Sequence, residues 1–309
     1  MNIDKLRFIY HLDDIRDKKN MTVERLCHGI CNSRQYRKYL TGVNNISDKR
    51  ITEFCNVLGI STRDFYYSLS KNDIYQFNSV KTIYNYLTQK NYKKVRKHIS
   101  EIVDVESFSI QNKKFLDYCS IRMKLEENLI YDIEALDKAS AIICYPSCIK
   151  NEVFDFVDII VLLLISQTEI KIKKTDALEL LKKILVNNDT IYLSAESRNM
   201  IPTIYSTVSI LLGRLRRTEE SIEVAQVGIE YCNKFYFSKS LTWLYYCLAD
   251  GYKRMLKPSL AEENAVLCFS NVLASKNANN IRTFYKLLYK DFQKDPFQLI
   301  QDYKHVVMG

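Results

Sequence analysis

A short stretch near the N-terminus carries side chains that can bind nucleic acid. Residues 31–42 read CNSRQYRKYLTG and contain no acidic residue. Arginine and glutamine pair with the edges of guanine and adenine, and arginine and lysine also neutralise phosphates. On a helix that begins near Ser33, Tyr36 and Tyr39 pack inward. The predicted DNA-binding residues are Ser33, Arg34, Gln35, Arg37 and Lys38. An ordinary solvated helix face is the alternative.

The elements that must position this stretch are five short helices within the first 70 residues. Apolar residues at helical spacing predict the first over residues 6–18. Cap residues predict where the other four begin: Thr22, Asn32 or Ser33, Ser47 and Ser61. Gly42 and Gly59 suit left-handed helix ends. A tight turn between the second and third helices predicts a helix-turn-helix domain over residues 1–70, whose third helix enters the major groove.

The order of turn, basic helix and caps resembles a known family. The runs ICNSRQYRKYLTG and VNNISDKRITEFCNVLGISTRDFY are similar to the helix-turn-helix domain of the peptide-pheromone-responsive regulators of Gram-positive bacteria, the Rgg, PlcR and PrgX group. The matching positions are Ile30, Cys31, Gly42, Leu58, Gly59, Ile60, Asp64, Phe65 and Tyr66. Where the family usually has Ser-Arg-Ile-Glu-x-Gly, residues 37–42 read RKYLTG, so phosphate contacts and the DNA site are expected to differ.

The rest of the chain carries a helical apolar pattern almost to its end. Residues 71–75 form a polar stretch that is predicted to be a linker. Two later segments align at a spacing of 36 residues: Leu212-Gly213 with Leu248-Ala249, and Ala225 with Ala261. Small residues at these places let antiparallel helices approach closely, as in tetratricopeptide repeats. The resemblance also implies such an array.

The predicted fold is therefore all-α. The five-helix domain is followed, over residues 76–309, by a right-handed superhelix of about five degenerate tetratricopeptide-like helix pairs. An irregular helical bundle is the alternative for this region. Its C-terminal helices are candidates for capping the array or for a homodimer interface.

The first helix of each pair lines the concave side of such a superhelix, where a ligand is expected. The residues predicted to bind a short peptide there are Arg214, Arg217, Trp243, Tyr246, Asp250 and Lys253. Aromatic rings hold apolar peptide side chains, and arginine or lysine can bind a terminal carboxylate. The alternative for Trp243 and Tyr246 is core packing between repeats. The resemblance also implies a short signalling peptide as the effector.

Residues that could support catalysis or bind a metal are present but poorly spaced. Cys27 and Cys31 lack the second ligand pair that a zinc site needs, and their place in the helix-turn-helix favours core packing. Cys144 and Cys148 do not have the spacing of a CxxC redox pair. The four histidines are far apart, and seven glycines supply no phosphate loop and no dinucleotide-binding motif. We therefore expect no metal, no cofactor and no enzymatic activity.

The composition fits a helical protein that does not span a membrane. Seven glycines and four prolines are few for a sheet-rich chain of 309 residues. The longest apolar run, IIVLLLI at residues 159–165, is much shorter than the roughly 20 residues that cross a bilayer. The charged start, MNIDKLRF, is unlike a signal peptide. We expect a cytoplasmic protein with reduced thiols.

Together these features predict a transcription regulator that binds double-stranded DNA and is controlled by a signalling peptide, as in quorum sensing. Two recognition helices on a two-fold homodimer would meet successive major grooves, so an inverted-repeat operator is expected. One alternative is a phage receptor of the arbitrium kind, which pairs the same two parts. Another is a tetratricopeptide adaptor that binds a protein partner and no DNA. An enzyme on a helical scaffold is a weaker alternative.

Overall fold

The fold is almost entirely α-helical, as predicted. The computed structural model describes residues 3–102, 105–187, 191–193, 197–238 and 240–308. That part of the chain contains sixteen α-helices, short 3-10 turns and one pair of two-residue strands. It divides into two compact units, Met1–Lys138 and Ala139–Gly309.

The first unit begins with the five helices that the caps predict. They are α1 (Ile3–Lys18), α2 (Val23–Cys27), α3 (Ser33–Leu40), α4 (Asp48–Leu58) and α5 (Thr62–Thr88). The side chains that accept a hydrogen bond from the backbone N–H three residues on are Thr22, Asn32, Ser47 and Ser61. Gly42 and Gly59 follow α3 and α4 with positive φ angles of 70° and 65°, which end those helices.

One buried core holds α1 to α5 together. Its members include Leu12 of α1, Leu26 of α2, Tyr36 of α3, Phe54 of α4 and Phe65 of α5. The rings of Tyr36 and Phe54 meet edge to face with their centroids 5.5 Å apart. Since α3 contributes fully buried side chains to this core, its orientation is fixed by packing and not by its own short length.

The helix α5 is much longer than expected. Residues 71–75, predicted to be a linker, are instead the middle of this helix. The prediction of a linker was wrong because it relied on polarity alone, and the segment holds no glycine or proline to interrupt helical hydrogen bonds. The amide of Asn112 donates to the carbonyl oxygen of Asp73 (3.0 Å) and to Oε1 of Gln76 (3.3 Å), which ties this stretch to a later helix.

Three further helices complete the chain up to residue 143. They are α6 (Tyr92–Ser100), α7 (Ile110–Glu126) and α8 (Asp132–Ile143). Tyr84 of α5 packs against Phe115 and Tyr118 of α7, with ring centroids 5.7 and 6.2 Å apart. The first unit therefore holds more than the helix-turn-helix. The predicted domain boundary after residue 70 falls inside α5.

The second unit is a series of antiparallel helices. Its helices are α9 (Phe156–Lys171), α10 (Asp176–Val186), α11 (Ile201–Arg214), α12 (Thr218–Phe235), α13 (Leu241–Arg254), α14 (Pro258–Ala274), α15 (Ala278–Phe292) and α16 (Pro296–Met308). The strands β1 (Phe154–Asp155) and β2 (Ile191–Tyr192) pair in parallel. The helices pack in sequential pairs, including α11 with α12 and α13 with α14.

Small residues allow the close packing that the 36-residue spacing predicts. Ala225, Ala249 and Ala261 are fully buried. A Cβ atom built on Gly228 would lie 2.8 Å from Cβ of Tyr205 and 2.9 Å from a methyl carbon of Leu244. Since real Cβ atoms are essentially never found that close, α12 needs a glycine where it passes α11 and α13.

The apolar run of residues 159–165 lies in α9. Most of its side chains are buried within the second unit. None of the described helices has the length and apolar character that crossing a bilayer requires.

Candidate nucleic-acid and peptide interfaces

The helix α3 turns its cationic side chains to solvent. Arg34, Arg37 and Lys38 are exposed, while Ser33 and Gln35 are half-buried. The opposite face carries Tyr36 and Tyr39, which are buried as predicted, and Leu40, which is only partly buried.

These three cations have no partner of opposite charge within the described part of the chain. Some other cations of the same domain are paired, namely Arg16 with Asp13, Lys18 with Asp14, and Arg50 with Glu53. An unpaired cation binds a phosphate without first breaking an ion pair. The face of α3 therefore meets the electrostatic requirement of a DNA-binding surface.

A chain of hydrogen bonds fixes α3 relative to α1 and α2. The hydroxyl of Tyr36 donates to Oδ1 of Asp13 at 3.0 Å. Nε of Arg16 donates to the same oxygen at 2.7 Å, and its terminal nitrogen donates to the carbonyl oxygen of Met21, also at 2.7 Å. Burial, with the Asp13 carboxylate beside it, raises the pKa of Tyr36 above its usual range, so the hydroxyl stays protonated. Asp13 and Arg16 were not predicted, because their role depends on contacts between helices.

The turn between α2 and α3 is a tight one. His28 has φ −55° and ψ 124°, and Gly29 has φ 75°, which are the angles of a type II β-turn. The carbonyl oxygen of Ile30 accepts a hydrogen bond of 2.7 Å from Arg50 of α4. The first residues of α3 are thus held from the turn side as well as from the core.

In the second unit, α13 carries most of the predicted peptide-binding residues along one stripe. We call Trp243, Tyr246, Asp250 and Lys253 the α13 surface. Trp243 is 38 % exposed, and its ring packs against Phe284 of α15 at 4.7 Å and against Tyr246 at 5.9 Å. Trp243 thus joins two helix pairs and still leaves part of its ring open to a ligand.

The other members of the α13 surface also contact neighbouring side chains. The hydroxyl of Tyr246 donates to Oδ2 of Asp291 at 2.7 Å, and burial with this carboxylate raises its pKa. Nζ of Lys253 donates to the carbonyl oxygen of Asp291. Asp250 forms an ion pair of 2.8 Å with Arg254.

The two arginines predicted at the preceding helix pair differ. Arg214 is exposed and has no ionic partner among the described residues. Arg217 bridges α10 and α12, because its guanidinium pairs with both Glu179 and Glu220. Nε of Arg217 lies 2.6 Å from Oε1 of Glu220. A peptide carboxylate that binds Arg217 would have to compete with the carboxylates of Glu179 and Glu220.

Two residues that the sequence reasoning missed lie against the α13 surface. Phe284 and Asp291 belong to α15, about one repeat beyond α13 in the sequence. Their place depends on how consecutive helix pairs stack. The aromatic and acidic residues of the FYKLLYKDF segment were the only feature of the sequence that could have pointed to these two residues.

The sequence matches no family model and no curated protein. The structure, in contrast, aligns over nearly its whole length with solved structures. PlcR from Bacillus thuringiensis, in complex with the peptide PapR7 and DNA, is 14% identical over 97% of this chain and 98% of that chain, with a TM-score of 0.53. ComR from S. thermophilus, in complex with DNA and its signalling peptide ComS, is 14% identical over 92% and 99%, with a TM-score of 0.51. Apo ComR from Streptococcus vestibularis is 13% identical over 93% and 98%, with a TM-score of 0.52.

The chain has the fold of the peptide-responsive regulators of Gram-positive bacteria. The resemblance seen in residues 30–66 therefore holds for the fold of the whole chain. At 13–14% identity the likeness concerns the arrangement of helices. The roles of individual side chains rest on the geometry described above.

Proposed function

We propose that the chain is a DNA-binding transcription regulator controlled by a short signalling peptide. DNA binds the exposed face of α3 through Arg34, Gln35, Arg37 and Lys38, with Ser33 at the start of the helix. The peptide binds the α13 surface together with Arg214 of α11. The protein acts in the cytoplasm as a homodimer on an inverted-repeat operator and is not an enzyme.

The observation that carries the DNA-binding proposal is the unpaired cationic face of α3 on a helix anchored from two sides. Tyr36 is held by Asp13 of α1, and the preceding turn is held by Arg50 of α4. A recognition helix needs such support because base contacts depend on the position of each side chain.

The peptide proposal is supported by the composition of the α13 surface. Trp243 offers an apolar ring, while Lys253 and Arg214 offer exposed cations. This combination suits a short peptide that has apolar side chains and a free carboxylate. Two of the structures with this fold were solved in complex with DNA and a peptide. We infer the same two partner classes for this chain from the fold and these side chains together.

The test of DNA binding is selection from a random duplex pool. The full chain is compared with the Arg34→Ala, Arg37→Ala, Lys38→Ala triple variant. A matched control replaces three exposed lysines outside the helix-turn-helix, namely Lys93, Lys286 and Lys290. We expect an inverted repeat to be enriched by the wild type and the control but not by the triple variant. A folded protein that enriches no sequence at low or moderate salt would exclude the regulator and favour the protein-binding adaptor.

The test of peptide binding uses the intrinsic fluorescence of Trp243, since the chain has a single tryptophan. Peptides from culture medium and synthetic peptide pools are titrated, and the emission maximum is followed. A bound peptide that covers the exposed part of the ring shifts the emission to the blue. Calorimetry with the Trp243→Phe variant checks that binding weakens when the ring is smaller. If a peptide binds without changing the emission and binds Trp243→Phe as tightly as the wild type, the peptide-binding site does not include Trp243.

A further inference from the structure

Two cysteines lie on either side of the turn that introduces α3. Cys27 is the last residue of α2, and Cys31 comes just before Asn32, whose side chain caps α3. The backbone N–H of Cys31 donates to the carbonyl oxygen of Cys27 at 3.1 Å. This bond closes one turn of backbone between the two cysteines, so it brings them close to each other, as a disulfide requires.

The two thiols differ in exposure. Burial, with Cys31 beside it, raises the pKa of Cys27 to about 12. Cys27 is 2 % exposed, whereas Cys31 is half-buried and can be reached from solvent. Both residues are free thiols. The pair therefore consists of one accessible thiol and one protected thiol beside it.

Formation of a disulfide here would move the start of α3. The two sulfur atoms would have to come to covalent distance, and the intervening turn would have to adjust. That turn holds Gly29 in a left-handed conformation and presents the carbonyl oxygen of Ile30 to Arg50. Displacement of Cys31 would act directly on Asn32, whose side chain accepts from Gln35 at 2.7 Å.

We propose that Cys27 and Cys31 are an oxidation site for hydroperoxides, and that their disulfide weakens DNA binding by displacing the N-terminal turn of α3. The effect on DNA binding rests on the function proposed above, whereas the oxidation itself does not. The pair gives the regulator a second input, independent of the peptide.

The chemistry requires only a hydroperoxide as the co-reactant. The Cys31 thiolate attacks the peroxide oxygen, the O–O bond breaks, and Cys31 becomes a sulfenic acid as the peroxide leaves as water or an alcohol. The sulfur of Cys27, as it gives up its proton, then attacks the sulfenic sulfur and releases water. Overall, two thiols lose two electrons and two protons, and the peroxide is reduced. A dithiol reductant reverses the change by exchange through a mixed disulfide.

The chain contains a pair with the same spacing that serves as an internal control. Cys144 is exposed and Cys148 is buried, and the backbone N–H of Cys148 donates to Cys144 at 3.0 Å. This pair belongs to the second unit and lies more than 100 residues after the recognition helix in the sequence. Oxidation at Cys144 and Cys148 is therefore expected to leave α3 unchanged.

The experiment treats the full chain with hydrogen peroxide at neutral pH and compares wild type, Cys31→Ser and Cys144→Ser. Peptide mass mapping follows the cross-link between Cys27 and Cys31, and hydrogen exchange follows the amides of residues 32–40. Affinity for the selected operator is measured before oxidation, after oxidation and after reduction. We expect the cross-link, faster exchange at the start of α3, and a loss of affinity of roughly tenfold or more, comparable to losing one good base contact. Reduction restores the affinity.

The outcomes separate this proposal from the function on which it partly rests. In Cys31→Ser the cross-link and the response disappear, while Cys144→Ser responds as the wild type does. Absence of the cross-link in wild-type protein overturns the proposal, as does a cross-link that changes neither exchange nor affinity. If the reduced protein binds no DNA at all, the proposed function fails, and the cross-link and exchange data still decide whether the pair is an oxidation site that moves α3.

Discussion

Tyr36 of α3 and Asp13 of α1 are joined by a hydrogen bond of 3.0 Å, with the tyrosine ring fully buried. The same carboxylate oxygen accepts from Arg16, which also holds the chain just before α2. One carboxylate of α1 therefore links both helices of the helix-turn-helix, in addition to the packing of their shared core.

We expect Tyr36→Phe to destabilise the protein by about 1 kcal/mol, the usual net value of one hydrogen bond, and more if the Asp13 carboxylate is left poorly satisfied. The ring and its packing on Phe54 are retained in this variant. Chemical denaturation followed by circular dichroism measures the change.

Tyr39→Phe is the matched control for this prediction. Tyr39 is buried on the same helix, and its hydroxyl has no hydrogen bond within the described part of the chain. Its replacement should change stability by less than about 0.5 kcal/mol. Equal losses in the two variants would contradict the role that we assign to Asp13.

Arg34→Lys distinguishes reading of a base from contact with a phosphate. The substitution keeps the charge but removes the planar pair of donors that binds guanine. If Arg34 reads a base, discrimination at one operator position falls by about 1–3 kcal/mol. Binding to non-specific DNA and its salt dependence stay unchanged, since these depend on charge.

Competition binding with operators changed at single positions measures this effect. Arg63→Lys, at an exposed arginine near the start of α5, is the control and should alter no position. A variant that keeps the full preference at every base pair would show that Arg34 contacts the backbone of the DNA. Base reading would then have to come from another residue of α3.

The sequence was sufficient to predict the helix-turn-helix because its signals are local. Thr22, Asn32, Ser47 and Ser61 cap helices through their own side chains, and Gly42 and Gly59 end them through their own backbone angles. The continuation of α5 through residues 71–75 is set by contacts from α7, including the hydrogen bond of Asn112 to Asp73. Such a contact, between residues 39 apart, leaves no signal in the polarity of the segment.

The difference between local signals and long-range contacts also explains which features of the candidate sites could be predicted from the sequence. Exposure of Arg34, Arg37 and Lys38 followed from the burial of Tyr36 and Tyr39 on one short helix. Arg217 and Glu179 form an ion pair although they are 38 residues apart in the sequence. Trp243 of α13 packs on Phe284 of α15, which belongs to the next helix pair. These contacts depend on how consecutive helix pairs stack, and the 36-residue spacing predicts only that they stack.

Gly228→Ala tests the close approach of α12 to its neighbours. The added methyl group would lie 2.8 Å from Cβ of Tyr205, an atom fixed to the backbone of α11, and 2.9 Å from Leu244. The helices must therefore separate, and we expect a loss of stability of about 1–3 kcal/mol, as found for overpacked cores.

Gly213→Ala is the matched control in α11. Its added methyl group meets only Oγ of Ser221 at 3.5 Å, an ordinary contact. Because alanine favours a helix over glycine, this variant should be as stable as the wild type or more stable. Thermal unfolding of both variants measures the difference. Equal melting temperatures for Gly228→Ala and the wild type would contradict the close helix packing.

Arg217 was predicted to bind the peptide, but in the structure it forms ion pairs with Glu179 and Glu220, and their contribution to stability can be measured. Its hydrogen bonds lower the pKa of Glu220 from an ordinary value of 4.5 to about 2 and also lower the pKa of Glu179. Since these pKa values are lower in the folded protein, the unfolded chain binds more protons between about pH 4.5 and 2. The stabilisation is therefore complete above pH 4.5 and is lost as the pH falls towards 2.

We expect Arg217→Gln to be less stable than the wild type at pH 7, and the difference to shrink as the pH falls from 4.5 towards 2. Urea denaturation across this range measures it. Glu179→Gln removes one of the two acidic partners and leaves the guanidinium in place. If Arg217 also binds the peptide, Arg217→Gln weakens peptide binding, whereas Glu179→Gln, which frees the guanidinium from a competing carboxylate, keeps or strengthens it. Equal peptide affinities in both variants would assign Arg217 to the ion-pair network alone and leave Arg214 and Lys253 as the cations available to a peptide carboxylate.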